Sequence, residues 1–163
     1  MRTSGPFLRA ALQSAVTKAA SFSGASLDLG QRRWQELIIT LDVTSAERDS
    51  ADEVYTFFVT TGDGISFWDI VAFPIITTTG AKRYTARVLC DRLAEVTTGT
   101  PGIAAEPTSN LRTVLAGSEE GIKTLGGGKV RHGPIGDRIG HELVVVGTVV
   151  TGIAYSITIQ ARG

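Results

Sequence analysis

The alternation of apolar and polar residues near the C-terminus constrains the fold of this chain more than any other feature. In "IAYSITIQA" the apolar positions are Ile153, Tyr155, Ile157 and Ile159, and between them lie Ala154, Ser156, Thr158 and Gln160. Successive side chains of a β-strand point to opposite faces, so a period of two predicts a strand with one covered face. The segment "ELIITLDV" repeats the pattern, with inward positions at Leu37, Ile39, Leu41 and Val43.

Further β segments lie between these two. "EVYTFFVTT" is rich in β-branched and aromatic residues, and "ISFWDIVAF" follows it after "GDG", which suits a tight hairpin turn. Pro74 ends the return strand, because proline has no N–H to donate to a ladder. "KRYTARVL" predicts a strand in which Tyr84, Ala86 and Val88 share a face, and the apolar "HELVVVGTVV" is typical of a strand covered on both faces. Strands joined by short turns predict an all-β fold, an antiparallel, jelly-roll-like β-sandwich.

Two segments depart from this pattern. Residues 1–22 predict an N-terminal arm, either a short amphipathic helix or an extended segment that lies on a neighbour or on its own domain. We expect residues 23–163 to form the sandwich domain, and to stay folded when the arm is removed. A Gly-, Pro-, Ser- and Thr-rich insertion at about 91–140 interrupts this domain. Weakly patterned stretches of this length are usually functional excursions.

Composition excludes several classes of function. The formal net charge of zero does not favour nucleic acid as a partner, and no apolar run reaches the roughly 18 residues that span a bilayer. Cys90 is the only cysteine, so the chain has neither a disulfide framework nor a thiolate metal cluster. At the end of an apolar strand, we expect Cys90 to pack as a small hydrophobe.

The residues that could carry chemistry form no recognised motif. His132 and His141 lack the spaced donors of a zinc site, and we expect them to be solvated or at an interface. "GIKTLGGGKV" fails as a phosphate-binding loop because Val130 stands where that loop has Ser or Thr. Asp69 is expected on the solvent face of a strand, where it orients a neighbouring backbone or arginine. We therefore predict no enzyme activity, no catalytic or metal-binding residue and no cofactor.

A small basic patch is the remaining polar feature. Lys82, Arg83 and Arg87 flank Tyr84 on one predicted strand. Arg131 and Arg138 would extend the patch. Acidic residues balance it, so nucleic acid is not predicted as a partner.

Four segments of the chain resemble the small β-sandwich structural proteins of tailed bacteriophages. They are "WQELIITLDVTSA", "DEVYTFFVTTGDGISFWDIVAF", "TTGAKRYTARV" and "GTVVTGIAYSITIQARG", which cover about residues 30–90 and 140–163. The likeness is carried by Trp34, Leu41, Asp42, Thr61, Asp63, Gly64, Trp68, Asp69, Phe73, Gly80, Arg83, Tyr84 and Tyr155. The arm and residues 91–139 fall outside it.

The resemblance implies a non-enzymatic part of a virion. We expect a capsid decoration (cement) protein, made in the host cytoplasm, that binds the major capsid protein on the outside of the shell. Many weak contacts to one shell add through multivalency, and the arm and the long insertion would enlarge each contact. We also expect a homo-oligomer, with a trimer favoured. A tail or head-tail junction component is the alternative, and a carbohydrate-binding module is a second. No membrane partner is predicted.

The arm and the long insertion are the expected working surfaces, because they lie outside the family signature. The candidate interface residues are Arg2, Phe7, Leu8, Arg9, Leu12, Lys18, Leu111, Lys123, Leu125, Lys129 and Arg131.

Overall fold

A computed structural model of the chain describes residues 5–63, 67–91, 95–98, 103–104, 125 and 127–163. All regular structure within these residues is β, and no helix there could cross a membrane. The strands are β1 (Phe7–Lys18), β2 (Phe22–Ser23), β3 (Leu27–Asp28), β4 (Glu36–Ala46), β5 (Val54–Gly62), β6 (Phe67–Ala72), β7 (Lys82–Leu89), β8 (Glu95–Thr98), β9 (Ile103–Ala104), β10 (Lys129–His132), β11 (Arg138–Val146) and β12 (Ile153–Arg162).

The strands form two sheets that pack face to face. Sheet A has the order β1-β12-β4-β7-β9, and sheet B has the order β2-β11-β5-β6-β10-β8, with β3 also paired to β11. The described pairings are antiparallel except for β7 with β9. The predicted all-β antiparallel sandwich is confirmed, and its jelly-roll connectivity stays a prediction.

The core lies between the sheets and follows the predicted alternation. Every inward position of β4 and β12 is at most 2% exposed, while the residues between them keep contact with solvent. Phe57 of sheet B packs edge-on against Tyr155 of sheet A, with ring centroids 4.7 Å apart. The period of two therefore identified the core face of both strands correctly.

The predicted hairpin is present as the pair β5 and β6. Its strands are in register from Phe58 opposite Ala72 to Gly62 opposite Phe67, with a bulge after Val59. The turn contains Asp63, and residues 64–66 lie outside the described residues. β6 ends before Pro74, as expected.

The described part of the N-terminal arm is mainly a strand, so the helix alternative is wrong there. β1 pairs with β12 from Phe7 opposite Arg162 to Lys18 opposite Ile153. It forms one border of sheet A and lies on its own domain. Two bulges between Ala11 and Val16 insert extra residues and interrupt the period of two, so that Ser14 and Ala15 are both exposed. The bulges explain why a strand resembled a helix.

The long insertion contributes strands to both sheets. β10 lies between β6 and β8 in sheet B, and β9 borders β7 in sheet A, so the described part of this weakly patterned stretch includes strands. "HELVVVGTVV" also differs from expectation. β11 has one buried face, and Val146 on its other face is 57% exposed.

Candidate interaction surface

Asp69 is a buried anchor for the backbone of the insertion. Its side chain lies on β6, is 7% exposed, and accepts a hydrogen bond from the Leu125 N–H at 2.9 Å. Arg131 Nε donates to the Asp69 carbonyl at 2.9 Å. Burial raises the pKa of the Asp69 carboxyl above its ordinary value. The solvent-face prediction is wrong, whereas the predicted orienting role is confirmed.

This anchor removes two residues from the candidate interface. Leu125 is 7% exposed and Arg131 is 4% exposed. Both are covered because they hold the return of the insertion against β6, so neither offers a surface to a partner. Lys129 lies at the start of β10 and is exposed. Leu111 and Lys123 lie outside the described residues.

His132 is also structural. It is 2% exposed on β10, and its Nδ1 accepts a hydrogen bond from the Leu89 N–H at 3.0 Å. Because Leu89 ends β7 in the opposite sheet, this bond ties the two layers together at one end of the sandwich. The prediction of a solvated or interface histidine is therefore wrong here.

His141 is buried beneath a short segment that we call the strap, residues 22–28. The imidazole is 2% exposed, and its Nε2 lies 3.2 Å from the Tyr155 hydroxyl. Its Nδ1 has no hydrogen-bond partner among the described residues, and burial lowers the pKa of the ring. Gly24 of the strap lies so close that a Cβ there would sit 2.0 Å from the His141 Cε1. The solvated or interface prediction is wrong for this histidine too.

Cys90 behaves as the sequence predicted. The thiol is 7% exposed, and burial raises its pKa to about 12. A thiol with so high a pKa is a poor nucleophile at neutral pH. Among the described residues, no three His, Cys, Asp or Glu side chains come close enough together to hold a metal ion.

The outward face of sheet A brings together charged residues from four strands, and we call it the sheet A face. Register places Arg9 opposite Gln160, Gln160 opposite Ile38, and Ile38 opposite Arg87. Its charged residues are Arg9 on β1, Arg162 on β12, Glu36 and Asp42 on β4, and Arg83 and Arg87 on β7. These strands are distant in sequence, which is why Arg162 and Glu36 were not predicted. Strand parity combined with the order of the sheet would have found them.

Glu36 organises one corner of the sheet A face. Its carboxylate forms an ion pair with Arg87 and lies 3.7 Å from Arg162. The Glu36 side chain is 14% exposed, whereas those of Arg87 and Arg162 are 41% and 57% exposed. The Glu36 carboxylate is occupied by these two contacts, whereas the arginine side chains remain accessible to solvent. Phe7, opposite Arg162, is 60% exposed beside them.

The candidate residues of β1 divide between the two sides of the strand. Phe7 and Arg9 are exposed on the sheet A face, and Leu8 is half-buried on the core side. Leu12 is 7% exposed and belongs to the core, so its assignment to an exposed interface is wrong. Lys18 places its Nζ 3.8 Å from the centre of the Phe22 ring. Arg2 lies outside the described residues.

The predicted basic patch is not assembled. Lys82 Nζ donates to the carbonyls of its own turn, at Thr78 and Thr79. Arg131 is buried, and Arg138 donates to Ser26 on the strap. Of the five predicted basic residues, only Arg83 and Arg87 lie on the sheet A face.

Comparison with known proteins adds no assignment. No protein-family model matches the chain, and a search of curated proteins finds none with a similar sequence.

Proposed function

We propose that the chain is a structural component of a tailed-bacteriophage virion, a decoration protein that binds the outside of the major capsid shell. The resemblance of residues 30–90 and 140–163 to phage sandwich proteins supports this role. In this role the protein acts by binding a shell at many equivalent positions. Such a task requires a rigid scaffold and an accessible face, and the sandwich provides both.

The observation that carries the proposal is the contrast between buried and exposed groups. Asp69, His132 and His141 are buried, and each bonds within the fold. The sheet A face instead presents arginines together with the exposed ring of Phe7. Aromatic and arginine side chains are the residue types that contribute most at protein interfaces. The sheet A face is thus the surface through which we expect the protein to bind the shell.

The two alternative functions are supported to different degrees. A tail or head-tail position uses the same kind of surface and is separated only by location in the particle. A carbohydrate-binding module needs exposed aromatic platforms, but Trp34, Tyr55 and Tyr155 are at most 6% exposed, and Trp68 and Tyr84 are partly buried against the core. The Trp34 indole donates inward to the Leu29 carbonyl. These contacts count against stacking on sugars.

Immunogold labelling tests the location. Antiserum raised against the purified protein is applied to tailed-phage particles from cultures that produce the chain. Label spread over the head supports a decoration protein, and label confined to the neck or tail supports the alternative. Particles that carry neither label nor the protein on a gel would reject the virion role.

A charge-reversal pair tests the face. Arg9→Glu combined with Arg162→Glu is expected to weaken binding to shells stripped of the protein by at least tenfold. Arg32→Glu combined with Arg48→Glu makes the same change in charge on exposed loops and serves as the matched control. Equal binding by both double variants would show that the sheet A face is not the contact.

A further inference from the structure

The borders of the two sheets differ greatly in length. In the described part of the chain, sheet B is bordered by β2 and β3, of 2 residues each, and by β8, of 4 residues. Sheet A is bordered by β9, of 2 residues, and by β1, of 12 residues. The outer border of a strand carries unpaired N–H and C=O groups that can pair with another chain, and proteins usually keep such borders short. β1 is the exception among them.

The first half of β1 lacks the usual protection of an open border. Phe7 to Ala11 pair residue for residue with β12, and the bulges begin only after Ala11. Pro6 precedes the strand, and Lys18 at the far end turns onto the Phe22 ring. Charged side chains, proline and bulges are the devices that commonly block strand addition. Between Phe7 and Ala11 only the exposed Arg9 is such a device.

The core side of this half-strand is incompletely covered. Leu8 and Ala10 are partly buried and pack against the core, at its margin beside the open border. A further strand alongside β1 would cover the rest of these side chains. It would also pair the outward backbone groups of β1, which have no partner strand among the described residues. One added strand would thus bond the backbone and cover the apolar side chains.

We propose that this partner is the β1 strand of a second copy, paired antiparallel about a twofold axis at Ala10. Residues that lie opposite each other across the β1–β1 pair must point to the same face of the sheet. Only then do the two cores lie on the same side of a continuous sheet. An axis at Arg9 would set two guanidinium groups directly opposite, which is unfavourable. An axis at Ala10 places Arg9 opposite Ala11 of the second copy, and Leu8 opposite Leu12. The two cores then meet across the border.

This arrangement is an isologous dimer rather than the trimer expected from the phage resemblance. It does not depend on the proposed virion role, which is compatible with either symmetry. In the dimer the two sheet A faces become one continuous surface, on which Arg9, Arg162 and Phe7 occur twice.

A cysteine at the axis tests the register. Ala10→Cys in the full chain places two thiols opposite each other, and oxidised glutathione should convert most of the protein to a covalent dimer on a non-reducing gel. The native Cys90 is buried and its pKa is raised to about 12, so it stays unreactive under these conditions. Thr17→Cys is exposed on the same strand but away from the axis, and should give no comparable dimer. Equal cross-linking by both variants would overturn the register.

Charge pairing at the axis tests the dimer itself. Light scattering should give twice the chain mass for the wild type. Ala10→Lys and Ala10→Glu should each be monomeric alone, because like charges face each other, and should form a dimer when mixed. Restoration on mixing separates loss of pairing from loss of fold. A monomeric or trimeric wild type, or dimers that persist in both variants alone, would overturn the proposal, and the cysteine test remains decisive if either variant fails to fold.

Discussion

The outer sides of two neighbouring strands, β11 and β1, differ in whether another segment covers them. On β11 the strap covers the border with a few short contacts: Leu143 pairs with Phe22, Ile139 pairs with Leu27, and the Gly24 N–H donates to the His141 carbonyl at 3.2 Å. On β1, which also contacts β11, the described residues provide no second partner strand.

The difference shows that a segment of a few residues is enough to cover the outer side of a strand. The strap spans one side of β11 with two short bridges, because Gly24 leaves room for the His141 ring beneath it. β1 covers β12, but the outer side of β1 then becomes the edge of the sheet. Closed and open borders should therefore respond differently to mutation, and four experiments test that contrast.

Removal of β1 should have the largest effect. A chain that begins at Ala19 loses Leu12 from the core and exposes the full length of β12, so we expect a loss of stability above about 4 kcal/mol, more than most single core truncations. This reverses the expectation from sequence that the domain stays folded without its first 22 residues. Urea denaturation measures the change. A chain that begins at Gly5 keeps every described residue and should match the full-length protein.

Truncating one core leucine beside each border should cause different losses of stability at the two borders. Leu143→Ala on β11 removes a side chain that is 0% exposed and should cost about 3–5 kcal/mol, because the strap and both sheets confine the cavity. Leu12→Ala on β1 should cost nearer to about 2 kcal/mol, since a border strand can relax into the gap. Equal losses in chemical denaturation would mean that the β1 border is as firmly held as that of β11.

A methyl group under the strap should loosen the closed border selectively. Gly24→Ala places its Cβ against the His141 ring, and overpacking of this kind costs about 1–3 kcal/mol. Hydrogen exchange should rise in residues 22–28 and stay unchanged in β1. The exposed neighbour Ala25 offers the matched control, Ala25→Ser, which should leave exchange as it is. Unchanged protection of the strap in Gly24→Ala would contradict the close approach.

Acid should weaken the closed border by a smaller amount. Burial lowers the pKa of His141 in the folded protein, whereas the unfolded chain takes up this proton near pH 6.5. The contribution to stability is complete above pH 6.5 and is lost as the pH falls toward the lowered value, by at most about 1.4 kcal/mol per pH unit.

Burial of the ring is the cause of this sign. Tyr155 shares the His141 Nε2, the Lys18 Nζ lies over the Phe22 ring of the strap, and Glu142 points to the opposite face of β11. Denaturation midpoints between pH 7 and pH 5 should fall more steeply in the wild type than in His141→Gln, which cannot ionise. Parallel curves would exclude His141 as the source.

The local sequence pattern was enough to predict the central strands, but not which polar side chains are buried. β4 and β12 have a strand on each side and a sheet opposite, so burial follows their own alternation. The burial of Asp69 depends on Leu125, which is 56 residues away in the chain, and that of His141 depends on the strap. No local signal marks such pairs, because each residue is covered by a segment whose position is set by the rest of the fold.

By itself, the sequence determined that the chain is an all-β sandwich, that β4, β5, β6, β7 and β12 are strands, and that Cys90 packs as a hydrophobe. These properties depend on side-chain period and turn chemistry, which act over a few residues. Only the tertiary structure decided that β1 is a bulged border strand, that Asp69, His132 and His141 are buried anchors, and that arginines from separate strands share one face. The physical reason is that burial and proximity are properties of register and strand order, which no single segment contains.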